Sequence, residues 1–122
     1  MDNQINVVEL CSTQTIAASA VHRFGPIDLS AMQPGGYCSL QVALTGDGTA
    51  KFEYELSNDD SNYLTPSSAS DIDAAHTVTD GPGSDGKEMF SFSPMVSGWM
   101  QIKVTETGGV DSIIVTMHLA LQ

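Results

Sequence analysis

Hydrophobic and polar side chains alternate along most of this chain with a period of two. Over 37–44, Cys38, Leu40, Val42 and Leu44 fall on one face, and Ser39 and Gln41 on the other. Gly46-Asp47-Gly48 follows, and 49–57 alternates again, with Ala50, Phe52, Tyr54 and Leu56 opposite Lys51, Glu53 and Glu55. Successive side chains of a strand point to opposite faces, so both runs read as strands with one buried and one solvated side. The Gly-Asp-Gly between them predicts a hairpin. Further on, 87–93 puts Phe90 and Phe92 on one face before Pro94, and 99–106 places Met100, Ile102 and Val104 opposite Gln101 and Lys103. A Thr107-Gly108-Gly109 turn leads into 112–121, where Ile113, Val115, Met117, Leu119 and Leu121 share a face. Residues 5–11 and 15–24 are two further strand-like segments.

No stretch shows a helical period with both caps. The one helical candidate is a short turn over 70–75, where Ser70 is an N-cap residue and Asp71 and Asp73 are first-turn acids. Seven or eight short strands separated by Gly, Pro, Asn and Asp predict an all-β fold: a single antiparallel sandwich over 1–122, of jelly-roll or immunoglobulin-like type. Its core is expected to be aliphatic and rich in methionine. Residues 1–14 form an extended N-terminal arm or an edge strand. Residues 58–86, rich in Ser, Asp, Gly and Pro, form one long irregular excursion between the sheets.

Composition narrows the partners. The 122 residues carry 4 basic and 15 acidic side chains, a net charge of −11, and the isoelectric point is near 4.1. Such a chain does not bind nucleic acid by neutralising phosphate, and anionic lipid does not attract it. Mean hydropathy of −0.03 with 41% hydrophobic residues fits a globular domain. The N-terminus lacks a basic region and a continuous apolar stretch, so no signal peptide is expected. Leu10-Cys11 is no lipidation site, because Glu9 stands where a small residue belongs. Cys11 and Cys38 are expected to be free buried thiols rather than a disulfide, and their separation fits no zinc-ligand spacing.

Candidate chemistry is sparse. Asp59, Asp60 and Asn62 offer oxygen ligands for calcium, without the spacing of an EF-hand. The acidic residues, concentrated in 47–88, read mainly as a solvated surface, with the core faces almost free of charge. Glu53 and Glu55, two apart on an outward face, have the ordinary arrangement of solvent-facing acids rather than that of a glycosidase pair. No G-x-S-x-G motif occurs, and His22, His76 and His118 are dispersed. Gly81-Pro82-Gly83-Ser84-Asp85-Gly86 lacks the lysine of a phosphate loop and is a flexible connection. Tyr37, Tyr63 and Trp99 are candidate glycan-stacking rings. These residues name no catalytic group and no cofactor.

Three stretches carry a resemblance. They are Gly36-Tyr37-Cys38-Ser39-Leu40-Gln41-Val42, then Thr45-Gly46-Asp47-Gly48-Thr49-Ala50-Lys51-Phe52-Glu53-Tyr54-Glu55 with Leu56-Ser57-Asn58-Asp59, and the closing Ile102-Lys103-Val104-Thr105-Glu106-Thr107. Together they resemble small β-sandwich structural proteins of tailed bacteriophages and prophages. In those proteins a Y-x-S-L-Q strand leads through G-D-G-T into a second strand and an S-x-D-G-like loop. The resemblance runs from Tyr37 to the C-terminus. It departs at Asp60, where a turn glycine is expected, which puts the shape of that loop in question. It implies a virion or assembly component, located in the virion or in the host cytoplasm before assembly, that works as a homo-oligomer docked on other virion proteins. It brings no catalytic residues. Two other classes fit the sequence: a carbohydrate-binding sandwich module and a small hydrolase.

Overall fold

The computed structural model describes residues 5–30, 32–33, 35–67 and 71–122. Eight strands form two four-stranded antiparallel sheets, and no helix occurs among the described residues. The strands are β1 (Asn6–Ile16), β2 (Val21–Asp28), β3 (Cys38–Thr45), β4 (Ala50–Ser57), β5 (Asp73–His76), β6 (Lys87–Phe92), β7 (Trp99–Glu106) and β8 (Ile113–Leu121). The first sheet has the order β1-β8-β3-β6 and the second β2-β7-β4-β5. Of the two sandwich types expected from the sequence, this order is that of the jelly roll.

The alternating runs form strands as expected, but the predicted hairpin does not exist. β3 pairs with β6 and β8, while β4 pairs with β5 and β7, so Gly46-Asp47-Gly48 carries the chain from one sheet to the other. Gly46 has φ 93°, and a Cβ there would meet the Ser112 carbonyl at 2.8 Å. The loop therefore rests on the β7–β8 connection, which changes sheets in the same way. Alternation fixes which face a side chain takes. It does not fix the partner strand.

The second N-terminal segment is also corrected. Residues 17–20 turn between β1 and β2, with Ser19 at φ 62° and an Ala20 N–H to Ala17 carbonyl bond. Within the N-terminal stretch, β1 (Asn6–Ile16) is an edge strand whose pairing with β8 is interrupted by register shifts around Cys11. The excursion at 58–86 contains a strand, β5, at the edge of the second sheet. The helical turn over 70–75 is replaced there: Asp73–Ala75 are extended, because pairing with β4 outweighs a weak local cap. Ser70 lies outside the described residues.

The core lies between the sheets. Leu40, Val42, Leu44, Ile113, Val115, Met117 and Leu119 of the first sheet face Phe52, Met100, Ile102 and Val104 of the second. Of the methionines, Met100 and Met117 are buried, but Met89 and Met95 are each 61% exposed, so the core is less methionine-rich than the composition suggested. The β1–β2, β3–β4, β5–β6 and β7–β8 connections lie at one end of the sandwich. At the other end are the β2–β3, β4–β5 and β6–β7 connections, the start of β1 and the end of β8.

Candidate functional site

The calcium candidates occupy the β4–β5 loop at the second end. The Asp59 carboxylate accepts four bonds from its own loop and the end of β4: the N–H groups of Ser61 (2.9 Å) and Asn62 (2.8 Å), the Ser57 hydroxyl (2.8 Å) and the Asn62 side-chain amide (2.8 Å). These donors, led by the Asn62 and Ser61 N–H groups, hold the carboxyl well below the usual carboxylate range. Asp60 has φ 57°, the left-handed conformation that a turn glycine adopts readily, so the departure at this position is absorbed by the backbone. Its carboxylate accepts the Tyr63 hydroxyl at 2.6 Å, and burial together with this bond pushes the Tyr63 phenol up to about 12.

The glycan candidates are spread over the same end. Tyr37 stands largely exposed before β3, Tyr63 is half-buried in the loop, and Trp99 is half-buried at the start of β7, paired with Ser57 and Asp28. Among the described residues, ring–ring contacts join His22 to Phe24, Phe52 to His76 and Phe90, Tyr54 to Phe92, and His76 to Phe90; none of the three candidates takes part. The end is apolar as well as acidic. A groove of about 510 Å³ runs between Leu56, Leu64, Pro66, Met95 and Val96, and a second of about 260 Å³ lies between Val96, Leu29 and Met32. Val96 itself is 99% exposed.

At the opposite end the structure places a carboxylate inside the core, which the sequence reading missed. Glu106 is 1% exposed. Its Oε1 accepts the N–H groups of Ser19 (3.0 Å) and Gly109 (2.8 Å), and its Oε2 those of Thr49 and Gly108 (both 2.8 Å). One side chain thus ties together the β1–β2, β3–β4 and β7–β8 connections. The Thr49 N–H, with those of Ser19 and Gly109, lowers its pKa to about 2 against the opposing effect of burial. The signal was present in the chain, since Glu106 is in phase with Met100, Ile102 and Val104.

Glu55 also departs from expectation. It is outward-facing but 7% exposed. Arg23 Nε (2.9 Å) and Gln101 Nε2 (2.7 Å) both donate to its Oε1 across the outer face of the second sheet. Lys51 and Lys103 approach Glu53 at 3.8 and 3.9 Å on the same face.

The dispersed histidines conceal one convergence. His76 on β5 is fully buried, and its ring is met edge-on by Phe52 and Phe90. Nε2 lies 2.9 Å from the Gly86 carbonyl, while Nδ1 lies 3.3 Å from Asp73 Oδ2 and 3.8 Å from Glu88 Oε1. A register shift makes this possible. His76 pairs with Ala50 and Asp73 with Phe52, so two residues three apart both sit opposite core-facing positions of β4. Glu88, on β6, approaches from the other sheet. Neither the cluster nor the buried histidine is visible in a period-two pattern.

The cysteines are free, Cys38 buried and Cys11 partly so, on β3 and β1 with β8 between them. Burial raises both thiols, Cys38 to about 11. Neither has the lowered pKa of a reactive cysteine.

The fold defines the class: an eight-stranded jelly-roll sandwich. No protein-family model matches the chain, and comparison with curated proteins gives no match. Among solved structures, it is similar to a chain of infectious bursal disease virus, Gx strain, at 11% identity and TM-score 0.59, covering 98% of this chain and 32% of that one. The VP2 subviral particle of the same virus aligns at 11% identity and TM-score 0.58, over 97% of this chain and 32% of that one. The YomS protein derived from the SPBc2 prophage aligns at 6% identity and TM-score 0.52, covering 98% of this chain and 94% of that one. The chain thus spans about a third of the viral chains and nearly the whole of the prophage protein. At these identities the likeness is one of fold.

Proposed function

We propose that this chain is a non-enzymatic structural component of a phage or prophage particle, acting by self-association and docking to other structural proteins. The observation that carries this reading is the free edge of β1. Its first residues pair regularly with β8, from Asn6 opposite Leu121 to Glu9 opposite His118, and the register shifts come only afterwards. Ile5, Val7 and Val8 are 62%, 65% and 38% exposed on this stretch. A regular apolar edge is a template for another strand. The other edge strands are shorter: against the 11 residues of β1, β2 has 8 with a register shift at Gly25-Pro26, β5 has 4, and β6 has 6 and bears Lys87 and Glu88.

Ile5 and Tyr37 also line a shallow cavity of about 210 Å³ with Ser91 and Ala120, so apolar surface continues from the edge onto the sheet. The likenesses to virus-particle and prophage chains of the same fold agree with this reading. A hydrolase at His76 is disfavoured by its geometry, because both ring nitrogens are engaged and the ring is out of reach of a substrate.

The test is sedimentation velocity over a concentration series, on the wild type and on Val7→Lys. The wild type is expected to self-associate. The variant, folded by circular dichroism, is expected to associate at least about tenfold more weakly, the equivalent of one buried valine. A wild type that stays monomeric at every concentration and salt level overturns the self-association.

A further inference from the structure

We propose that Asp73, His76 and Glu88 form a binding site for a divalent cation of the zinc type, which clasps the two sheets together along the side where β5 and β6 are the edges. The geometry around His76 carries the argument. The Gly86 carbonyl only accepts, and it is held in place by the Leu44 N–H at 3.1 Å. His76 Nε2, at 2.9 Å, is therefore the donor to it. Nδ1, on the other side of the ring, faces Asp73 Oδ2 at 3.3 Å and Glu88 Oε1 at 3.8 Å. One imidazole nitrogen and two carboxylate oxygens, from three residues on two sheets, thus converge within 4.8 Å of one another. Asp73 Oδ1 is already engaged by the Ala75 N–H, which leaves Oδ2 to the cluster. Arg23, Lys51 and Lys103 form their ion pairs with Glu55, Glu53 and Asp71 instead.

A cation relieves this convergence, and the spacing suits one. Ligands bound tetrahedrally at about 2.0–2.1 Å stand about 3.3 Å from one another. The three ligand atoms here all lie within 4.8 Å of each other, two of the separations being 3.3 and 3.8 Å. The surroundings resemble an outer shell already built: the second ring nitrogen donates to a backbone carbonyl, and two aromatic rings fix the imidazole plane. The side chains of Asp73 and Glu88 are 26% and 32% exposed, so an ion has a path in and water can complete its coordination. One imidazole with two carboxylates favours zinc, and manganese more weakly, over calcium and magnesium, which prefer all-oxygen sites.

The experiment uses the full chain stripped with EDTA, titrated calorimetrically with zinc chloride and melted with and without it. One zinc per chain is expected, with the melting temperature raised by about 10 °C at a hundredfold excess over Kd. Calcium and magnesium are expected to give no shift. His76→Gln alters packing as well as ligation, so Asp73→Asn and Glu88→Gln serve beside it; both are expected to melt near the wild type in EDTA and to bind zinc at least about tenfold more weakly. Zinc K-edge absorption should show nitrogen and oxygen neighbours without sulfur. Absence of zinc binding, calcium binding of equal strength, a sulfur neighbour or unchanged affinity in both carboxylate variants each overturns the proposal.

Discussion

Replacing Glu106 by glutamine is nearly isosteric, yet it is expected to be among the most costly single changes in the protein. The carboxylate receives two N–H groups on each oxygen. In Glu106→Gln one oxygen keeps its pair, while the new NH₂ group faces two donors with nothing to accept them. Two charge-assisted bonds at about 1.5–3 kcal/mol each are lost, in a site with little room to relax, so about 3–4 kcal/mol is expected. The carboxyl itself gives a second route. Held at about 2 rather than its ordinary 4.5, it favours the charged folded form by about 3 kcal/mol. Both figures count the same four N–H bonds, and at this chain length they amount to a fall in melting temperature of about 12 °C.

The assay is urea unfolding of wild type and variant across pH. A carboxyl whose pKa is depressed on folding contributes fully above its unfolded value, and the contribution is lost as pH falls through the folded one. The difference between the two proteins should therefore be constant from neutral pH to about 4.5, narrow below that, and largely vanish near pH 2. Comparing the difference cancels the other carboxylates, which titrate in both proteins. A gap under about 1 kcal/mol at pH 7, or one that persists unchanged to pH 2, refutes the role given to Glu106.

Further consequences follow from single contacts. Gly86→Ala drives a Cβ to 2.3 Å from the Leu44 carbonyl at φ 79°, and a loss of about 3 kcal/mol in urea unfolding is expected. Phe52→Ala empties a fully buried position against His76 and Phe90 and should cost about 3–5 kcal/mol by the same measurement. Arg23→Ala leaves Glu55 with Gln101 as its remaining donor and should cost about 1 kcal/mol, less at high salt. With their raised pKa values, Cys11 and Cys38 should react with a thiol reagent at pH 8 more slowly in the folded protein than after denaturation, Cys38 the more slowly of the two.

What the chain discloses is face rather than partnership. The phase of Cys38, Leu40, Val42 and Leu44, and of Ile113 through Leu121, is legible because each alternate residue is apolar and every one of them is buried. The phase of Met100, Ile102 and Val104 extended by one step places Glu106 inside, but a carboxylate at a strand end reads as solvent-facing until the four N–H groups that receive it are seen. The reverse holds for Glu55, outward in phase yet covered by Arg23 and Gln101 from two neighbouring strands. His76 and Asp73 were beyond reach. A spacing of three puts them on opposite faces of a regular strand, and only the shift in β5 brings both against the core. The hairpin at Gly46-Asp47-Gly48 failed for a related reason: a tight turn has the same local chemistry whether the next strand pairs with the last or crosses to the other sheet.

The jelly-roll connectivity gives the two ends of the sandwich different work. At one end three sheet-changing connections meet on the Glu106 carboxylate, so their relative positions are fixed by four short bonds to one buried charge. Surface fixed in this way is poorly suited to adjust to a partner. At the other end no buried charge gathers the β2–β3, β4–β5 and β6–β7 connections among the described residues: Asp59 and Asp60 bond within their own loop, bonds at Gly98 and Ser93 link the rest, and these connections carry the exposed Leu64, Met95 and Val96. The free edge of β1 begins at this same end, where Asn6 pairs with Leu121 and Leu121 with Cys38. An edge that accepts a strand and grooves that accept apolar side chains thus lie together, away from the stapled end. If docking uses both, Val96→Asp should weaken association as Val7→Lys does, and the double variant should be no more than additive; wild-type association in Val96→Asp would confine the contact to the edge.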